Sequence, residues 1–174
     1  MIDYIKQSTP LGDMILASDG SALCGAWFAG QKYFPVTEGW REGEDRALEK
    51  AAVELRRYFS GELRCFTVPL RPRGTTFQQK VWAGISEIAY GQTASYGELA
   101  ARLGSAPRAV GAATGRNPVS VFIPCHRLVG HGALMNGAAP SDKSLTGYAG
   151  GLDKKRALLT LEGVILSPAN EHLF

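Results

Sequence analysis

The stretch from Leu63 to Gly74 sets the organisation of this chain. Pro69, Pro72 and Gly74 fall there among alternating charges, and neither a regular helix nor a central strand runs through such a segment. It reads as a linker or an exposed edge, and it divides the sequence into an expected N-terminal domain, residues 1–74, and an expected C-terminal domain, residues 75–174. The first part is written in strand patterns and the second in helical ones. At 174 residues there is room for one compact unit or two small halves.

In the first part, Ile2 to Lys6 and Met14 to Ala17 are short β-compatible runs joined through Thr9-Pro10-Leu11-Gly12. Asp19-Gly20 then turns the chain into Leu23 to Phe28. The expectation is an antiparallel three-strand sheet. From Asp45 to Phe59 the apolar positions Leu48, Ala52, Leu55 and Phe59 keep helical spacing, with Gly61 just past the end. One amphipathic helix therefore accompanies the sheet, and the whole chain is an α/β protein of the α+β kind.

In the second part, Thr76 is placed to cap a helix with Phe77, Val81, Ile85 and Ile88 on its buried face, ended by Tyr90-Gly91. Ser95-Tyr96-Gly97-Glu98 has the form of a capping box and opens a short helix through Leu99 and Leu103. Gly104-Ser105-Ala106-Pro107 stops that helix and starts another, Pro107 standing where a missing N–H costs nothing. The second helix, Arg108 to Gly115, has one face with almost no side-chain bulk. Helix, tight turn, helix suits either a DNA-docking element or an ordinary αα-corner.

Charge favours the first. Residues 1–74 hold ten Lys and Arg against ten Asp and Glu, so the net +3 comes from residues 75–174, and within 95–130 Arg102, Arg108, Arg116 and Arg127 face only Glu98. A basic stripe over this element fits an anionic polymer. Three cysteines exclude a complete disulfide framework and point to a reducing compartment. Asp3, Lys6, Asp13 and Asp19 interrupt any signal-peptide core, and no apolar stretch is long enough to span a membrane, so the expected location is cytoplasmic.

The chemical residues follow Asn117-Pro118. Val119 to Ile123 is a β-branched run suited to a buried strand, and it ends in Pro124-Cys125-His126-Arg127. A thiol attacks as its thiolate, and nearby imidazole or guanidinium lowers its pKa. Cys125 has both as sequence neighbours, although alternation along a strand would point His126 away, so a bridging water is the expected proton relay. Glu162 stands in the last turn of a helix from Asp153, where the macrodipole disfavours a carboxylate, so it is either a solvent-exposed glutamate or one with a specific donor or cation. Cys24 and Cys65 read as packing residues, and His172 as tail.

Pro124-Cys125-His126-Arg127, preceded by Asn117-Pro118 and Arg108-Ala109-Val110-Gly111 and followed by Gly147-Tyr148-Ala149-Gly150-Gly151, resembles the O6-alkylguanine-DNA alkyltransferase family. The resemblance runs in order from about Phe77 to Gly163, with a looser likeness before it. It implies a C-terminal helix-turn-helix of the winged-helix type and repair of O6-alkylguanine, with O4-alkylthymine as a further substrate. The alkyl group would move irreversibly to Cys125, once per molecule, without cofactor or obligate protein partner. His126 would be the base through a water, Glu162 would orient it, and Asn117 would hold the hinge before the cysteine. Ser95, Tyr96, Arg108, Ala109, Gly111 and Thr114 would meet duplex DNA in the minor groove. Tyr96 would help rotate the nucleotide out, and Arg108 would enter the stack in its place. Tyr96, Leu128, Tyr148 and Ala149 would form the base pocket, with Lys155 on the helix that closes it.

The sequence departs from the family in three places. The loop between Cys125 and Tyr148 is longer, near Asn136 to Leu145. Ser120 stands where some relatives have proline, and Ala149 where others have serine. Residues 1–74 offer only Cys24 and Cys65 and no histidine, too few ligands for the structural zinc of some relatives, so no metal is expected. Two other functions remain compatible with the residues: a lesion sensor that binds alkylated bases without chemistry, and a cysteine hydrolase that would draw on His131.

Overall fold

The computed structural model describes residues 1–130 and 145–166. Strands β1 (Asp3–Gln7), β2 (Met14–Ser18) and β3 (Leu23–Phe28) form the expected antiparallel meander. A fourth short strand, β4 (Arg41–Glu42), adds to β1 in parallel and gives the order β3-β2-β1-β4. Sequence patterns missed β4, since a two-residue edge strand has no periodicity to detect. Backbone bonds from the Arg41 N–H to the Ile2 carbonyl at 2.9 Å and from the Gly43 N–H to the Tyr4 carbonyl at 3.2 Å hold it, and Arg41 Nε donates to Asp3 at 2.7 Å.

Helix α1 (Arg46–Phe59) packs its apolar stripe on this sheet. Asp45 is its N-cap and accepts from the Leu48 N–H at 2.8 Å. Helix α2 (Thr76–Ser86) is capped by Thr75, not Thr76: the Thr75 hydroxyl accepts from the Gln78 N–H while Gln78 returns a bond to the Thr75 backbone. Both threonines have a glutamine three positions on, but Gln79 donates its side-chain amide to the Pro72 carbonyl at 2.6 Å, so the complete capping box forms at Thr75 with Gln78.

Two-residue strands β5 (Ala94–Ser95) and β6 (Leu128–Val129) pair in parallel. Helix α3 (Tyr96–Leu103) begins directly after β5, and Gly104, at φ 64°, turns the chain toward α4 (Pro107–Gly115), with Pro107 in its first turn as expected. The Ser95 hydroxyl accepts from the Glu98 N–H at 3.0 Å, but Ser95 is also a strand residue, and the return bond from Glu98 is not made. The Trp82 indole N–H donates to the Ala113 carbonyl at 2.9 Å and ties α2 to α4. Helix α5 (Leu152–Leu161) completes the described elements.

One hydrophobic cluster runs from Leu16, Leu23 and Phe28 of the sheet through Leu48, Leu55 and Tyr58 of α1 to Trp82, Leu99, Val110 and Leu158. The Leu63–Gly74 segment is docked and does not hang free as a linker would. Leu23 accepts from Arg71 and donates to Pro69, and buried Glu54 receives the N–H groups of Thr67 and Val68. Further along β3, Ala26 donates to Pro118 at 2.8 Å and accepts from Ser120 at 2.9 Å. The backbone leading to Cys125 thus leans on the outer edge of the N-terminal sheet.

Candidate active site

Val119 to Ile123 is buried, as expected, but it is a tight loop and not a strand. The Asn117 side chain bridges it, its Nδ2 donating to the Ile123 carbonyl at 3.0 Å and its Oδ1 accepting from the Val119 N–H at 2.9 Å. Val121 at the tip takes φ 74°, which a β-branched residue adopts only when its surroundings hold it there. A short apolar run fixes burial and leaves backbone shape open. The loop delivers Pro124 to a 3-10 turn over Cys125–Arg127, and β6 anchors its far end.

This turn separates the three side chains of the motif. Cys125 lines a cavity of about 300 Å³ together with Tyr96, Gly111, Thr114, Asn117, Ser120 and Tyr148. His126 and Arg127 point to the other side, where both meet Glu162 in the protein interior. The His126 ring reaches Glu162 Oε2 at 2.6 Å through Nε2. The Arg127 guanidinium donates to both carboxylate oxygens, at 2.8 and 3.1 Å, and to the Ile88 carbonyl at 2.6 Å. The Gly91 N–H donates to Oε1 at 3.1 Å and the Tyr58 hydroxyl to Oε2 at 2.6 Å. The macrodipole argument for Glu162 thus holds, with four partner residues from three separate segments.

The electrostatics follow from burial. On its own, burial would raise the Glu162 pKa, and the hydrogen bonds from His126, Arg127 and Tyr58 reverse it, holding the carboxyl at about 2. Burial lowers the His126 pKa, against the pull of Glu162, so the imidazole is neutral. With Nε2–H donated to the carboxylate, the lone pair lies on Nδ1, which is buried and has no hydrogen-bond partner among the described residues. Burial raises the Cys125 thiol, partly offset by the Asn117 side chain and the charge of Lys155. The expected activation by an adjacent guanidinium is therefore corrected. Arg127 is committed to Glu162, and the cation acting on the sulfur is Lys155.

Lys155 is completely buried and does not line the cavity. Its ammonium donates to the carbonyls of Thr146 and Gly147, at 2.9 and 3.4 Å, and burial brings its pKa down to about 8. The Tyr96 hydroxyl donates to the same Thr146 carbonyl at 3.1 Å, so both residues hold the segment that carries Tyr148 and Ala149 into the wall. The Tyr148 hydroxyl is a buried polar atom without a hydrogen-bond partner among the described residues.

The remaining candidates divide. Arg108 is exposed at the start of α4, on an outer face otherwise made by Ala109, Gly111, Ala112 and Gly115. Thr114 is not on that face, being buried with its hydroxyl donated to the Val110 carbonyl at 2.7 Å, and it meets the cavity from inside. Ser95 is buried as a helix cap, and Leu128 is buried in β6, so neither reaches the cavity wall. His131, His172 and most of the long loop from Asn136 lie outside the described residues; Leu145, at its end, packs on Val129 and Leu159. Sequence reasoning missed Tyr58 as a donor to Glu162 and Lys32 and Tyr33 as wall residues, because all three lie in the other half of the chain.

A buried cysteine facing a cavity, backed by a histidine–carboxylate pair and flanked by a helix-turn-helix with one arginine on a bare face, defines a nucleophilic-cysteine protein built against a large polyanion. The chain belongs to the O6-methylguanine DNA methyltransferase family: residues 76–164 match the family's DNA-binding domain and residues 2–72 its ribonuclease-like domain. It is 40% identical to a methylated-DNA–protein-cysteine methyltransferase of Haemophilus influenzae, over 92% of this chain and 86% of the relative. It is 42% identical to one from Mycolicibacterium paratuberculosis, over 100% and 99%. Among solved structures, the Mycobacterium tuberculosis OGT in complex with DNA superposes with a TM-score of 0.81 at 42% identity, covering 92% of this chain and 93% of that one.

Proposed function

We infer that the protein is a methylated-DNA–protein-cysteine methyltransferase that repairs O6-alkylguanine in duplex DNA by moving the alkyl group to Cys125. The observation that carries this reading is the placement of Cys125 in the wall of a cavity while its neighbour His126 is held by Glu162 at 2.6 Å on the protein side. A sulfur exposed to a pocket and a base locked behind it suit one displacement at carbon.

In this reading the thiol proton passes through a water to Nδ1 of His126, and the resulting imidazolium is stabilised by the Glu162 carboxylate. The thiolate attacks the O6-alkyl carbon. A C–S bond forms, the C–O6 bond breaks with its electron pair going to the purine, and the purine takes up one proton, which balances the one that the thiol gave. Lys155 favours the transient thiolate, and Asn117 keeps the loop in shape. A thioether is a stable product, so each molecule reacts once.

The reacting carbon is buried in a duplex stack, so the nucleotide must be extruded, at a cost of a few kcal/mol. The small-faced α4 permits close docking in the minor groove, and Arg108 fills the space that the base leaves. The division of labour follows the halves: residues 75–174 bind DNA and hold the acceptor, and residues 1–74 buttress the site. No helix among the described residues is long and apolar enough to cross a membrane.

The test is intact mass after incubation with a duplex containing O6-methylguanine. One methyl on the Cys125 peptide is expected, and Cys125→Ala should gain none while still binding the duplex. Multiple turnover on an ester would favour a hydrolase instead.

A further inference from the structure

One wall of the cavity comes from the half of the chain that carries none of the motif residues. Lys32 and Tyr33 line it together with Cys125. They sit just past β3 in a short loop that is fixed at several points. The Gln31 side chain accepts from the Phe28 N–H at 2.8 Å, and its backbone N–H donates to the Phe28 carbonyl at 3.1 Å. The Lys32 N–H donates at 3.1 Å to the carbonyl of Ala149, itself a wall residue. The Tyr33 ring lies against the C-terminal end of α4, and the Arg116 guanidinium stacks over it at 3.9 Å from the centroid.

Tyr33 also takes φ 61°, a left-handed conformation unfavourable for a non-glycine residue. Such a conformation persists where the surroundings impose it. Tyr33 is 45% exposed and lines the cavity, and Arg116 occupies one face of its ring, so the ring is positioned before any ligand arrives. A cavity of about 300 Å³ is at the small end of the range for ligand sites, so displacing one aromatic wall changes what fits.

We propose that Tyr33, held by Arg116, is a specificity-determining residue that limits the size of the O6-alkyl group the pocket accepts. The proposal rests on the alkyl-transfer reading above. Its substrate consequence is a preference for small alkyl groups that is set from the N-terminal half.

The experiment uses the full chain and one duplex sequence carrying either O6-methylguanine or O6-benzylguanine, so that DNA contacts cancel in the ratio of the two transfer rates. Tyr33→Ala should raise the benzyl-to-methyl ratio by about ten-fold, the scale on which apolar pockets discriminate by size. Tyr33→Trp should lower it, Tyr33→Phe should leave it near wild type, and Arg116→Gln should move it in the direction of the alanine variant. A ratio unchanged in both Tyr33→Ala and Tyr33→Trp overturns the proposal while leaving alkyl transfer intact. A wild-type protein that gains no alkyl mass from either duplex instead removes the reading on which it rests.

Discussion

The Tyr58 hydroxyl donates to Glu162 Oε2 at 2.6 Å across 104 residues of sequence, and the same oxygen receives His126 Nε2 at 2.6 Å. A tyrosine on the N-terminal helix thereby shares an acceptor with the histidine behind the reactive cysteine. Carboxylate, imidazole and phenol form one buried network, and its members do not titrate independently.

Tyr58→Phe removes one of the donors that keep Glu162 ionised. A buried hydrogen bond to a charged group contributes about 1.5 to 3 kcal/mol, so the variant should lose stability on that scale in urea. Glu162 is held at about 2, below its ordinary 4.5, and stabilises the fold fully above the ordinary value, with the contribution lost as pH falls toward 2. Raising its pKa in the variant should therefore move acid unfolding to higher pH, read by circular dichroism. An unchanged acid midpoint would show that Tyr58 does not act on the carboxylate.

The pH profile of alkyl transfer should have limbs assignable to two groups. Burial lowers His126 from its ordinary 6.5, so the imidazole stays a proton acceptor below that value and the acid limb should fall below pH 6.5. Lys155, brought down to about 8, loses its charge above that pH and with it the cation that favours the thiolate. The single-turnover rate should accordingly decline above about pH 8, and Lys155→Met should be slow with no such limb. A rate that climbs steadily through pH 9 would contradict the role of Lys155.

Arg108→Ala should slow repair in duplex DNA far more than reaction with free O6-benzylguanine. If the wedge offsets even about 1.4 kcal/mol of extrusion, the duplex rate falls about ten-fold. Equal losses on the two substrates would show that Arg108 has no part in flipping.

Gly91 has φ 75°, and a Cβ there would come within 3.1 Å of the Glu162 carbonyl. Its N–H also donates to Glu162 Oε1. Gly91→Ala should lower stability by about 1 to 2 kcal/mol from the left-handed backbone alone, measured as a fall in the urea midpoint. A neutral result would mean that the turn relaxes without disturbing Glu162.

Much of this was legible in local sequence. The three antiparallel strands, α1, α2 and the α3–α4 pair follow from periodicity, from Pro107 at a helix start and from Gly104 at a helix end, signals that act within one or two turns. Cys125, His126 and Glu162 were singled out by residue chemistry, and the unfavourable position of Glu162 left a specific partner as one of two readings without naming it. The loop over Val119–Ile123 was not legible, because its shape comes from the two bonds of the Asn117 side chain and from the edge of β3.

The sequence by itself determined the residue types and the local elements: a thiol, an imidazole and a carboxylate in a helical half, next to a strand-rich half. Only tertiary packing decided which of them meet. It turned His126 and Arg127 inward to Glu162, brought Tyr58 to the same carboxylate, set Lys155 as the cation acting on the sulfur and placed Tyr33 in the pocket wall. The physical reason is range. Propensities and caps are decided by neighbours a few residues away, whereas burial and charge pairing are properties of volumes filled by segments far apart in the chain.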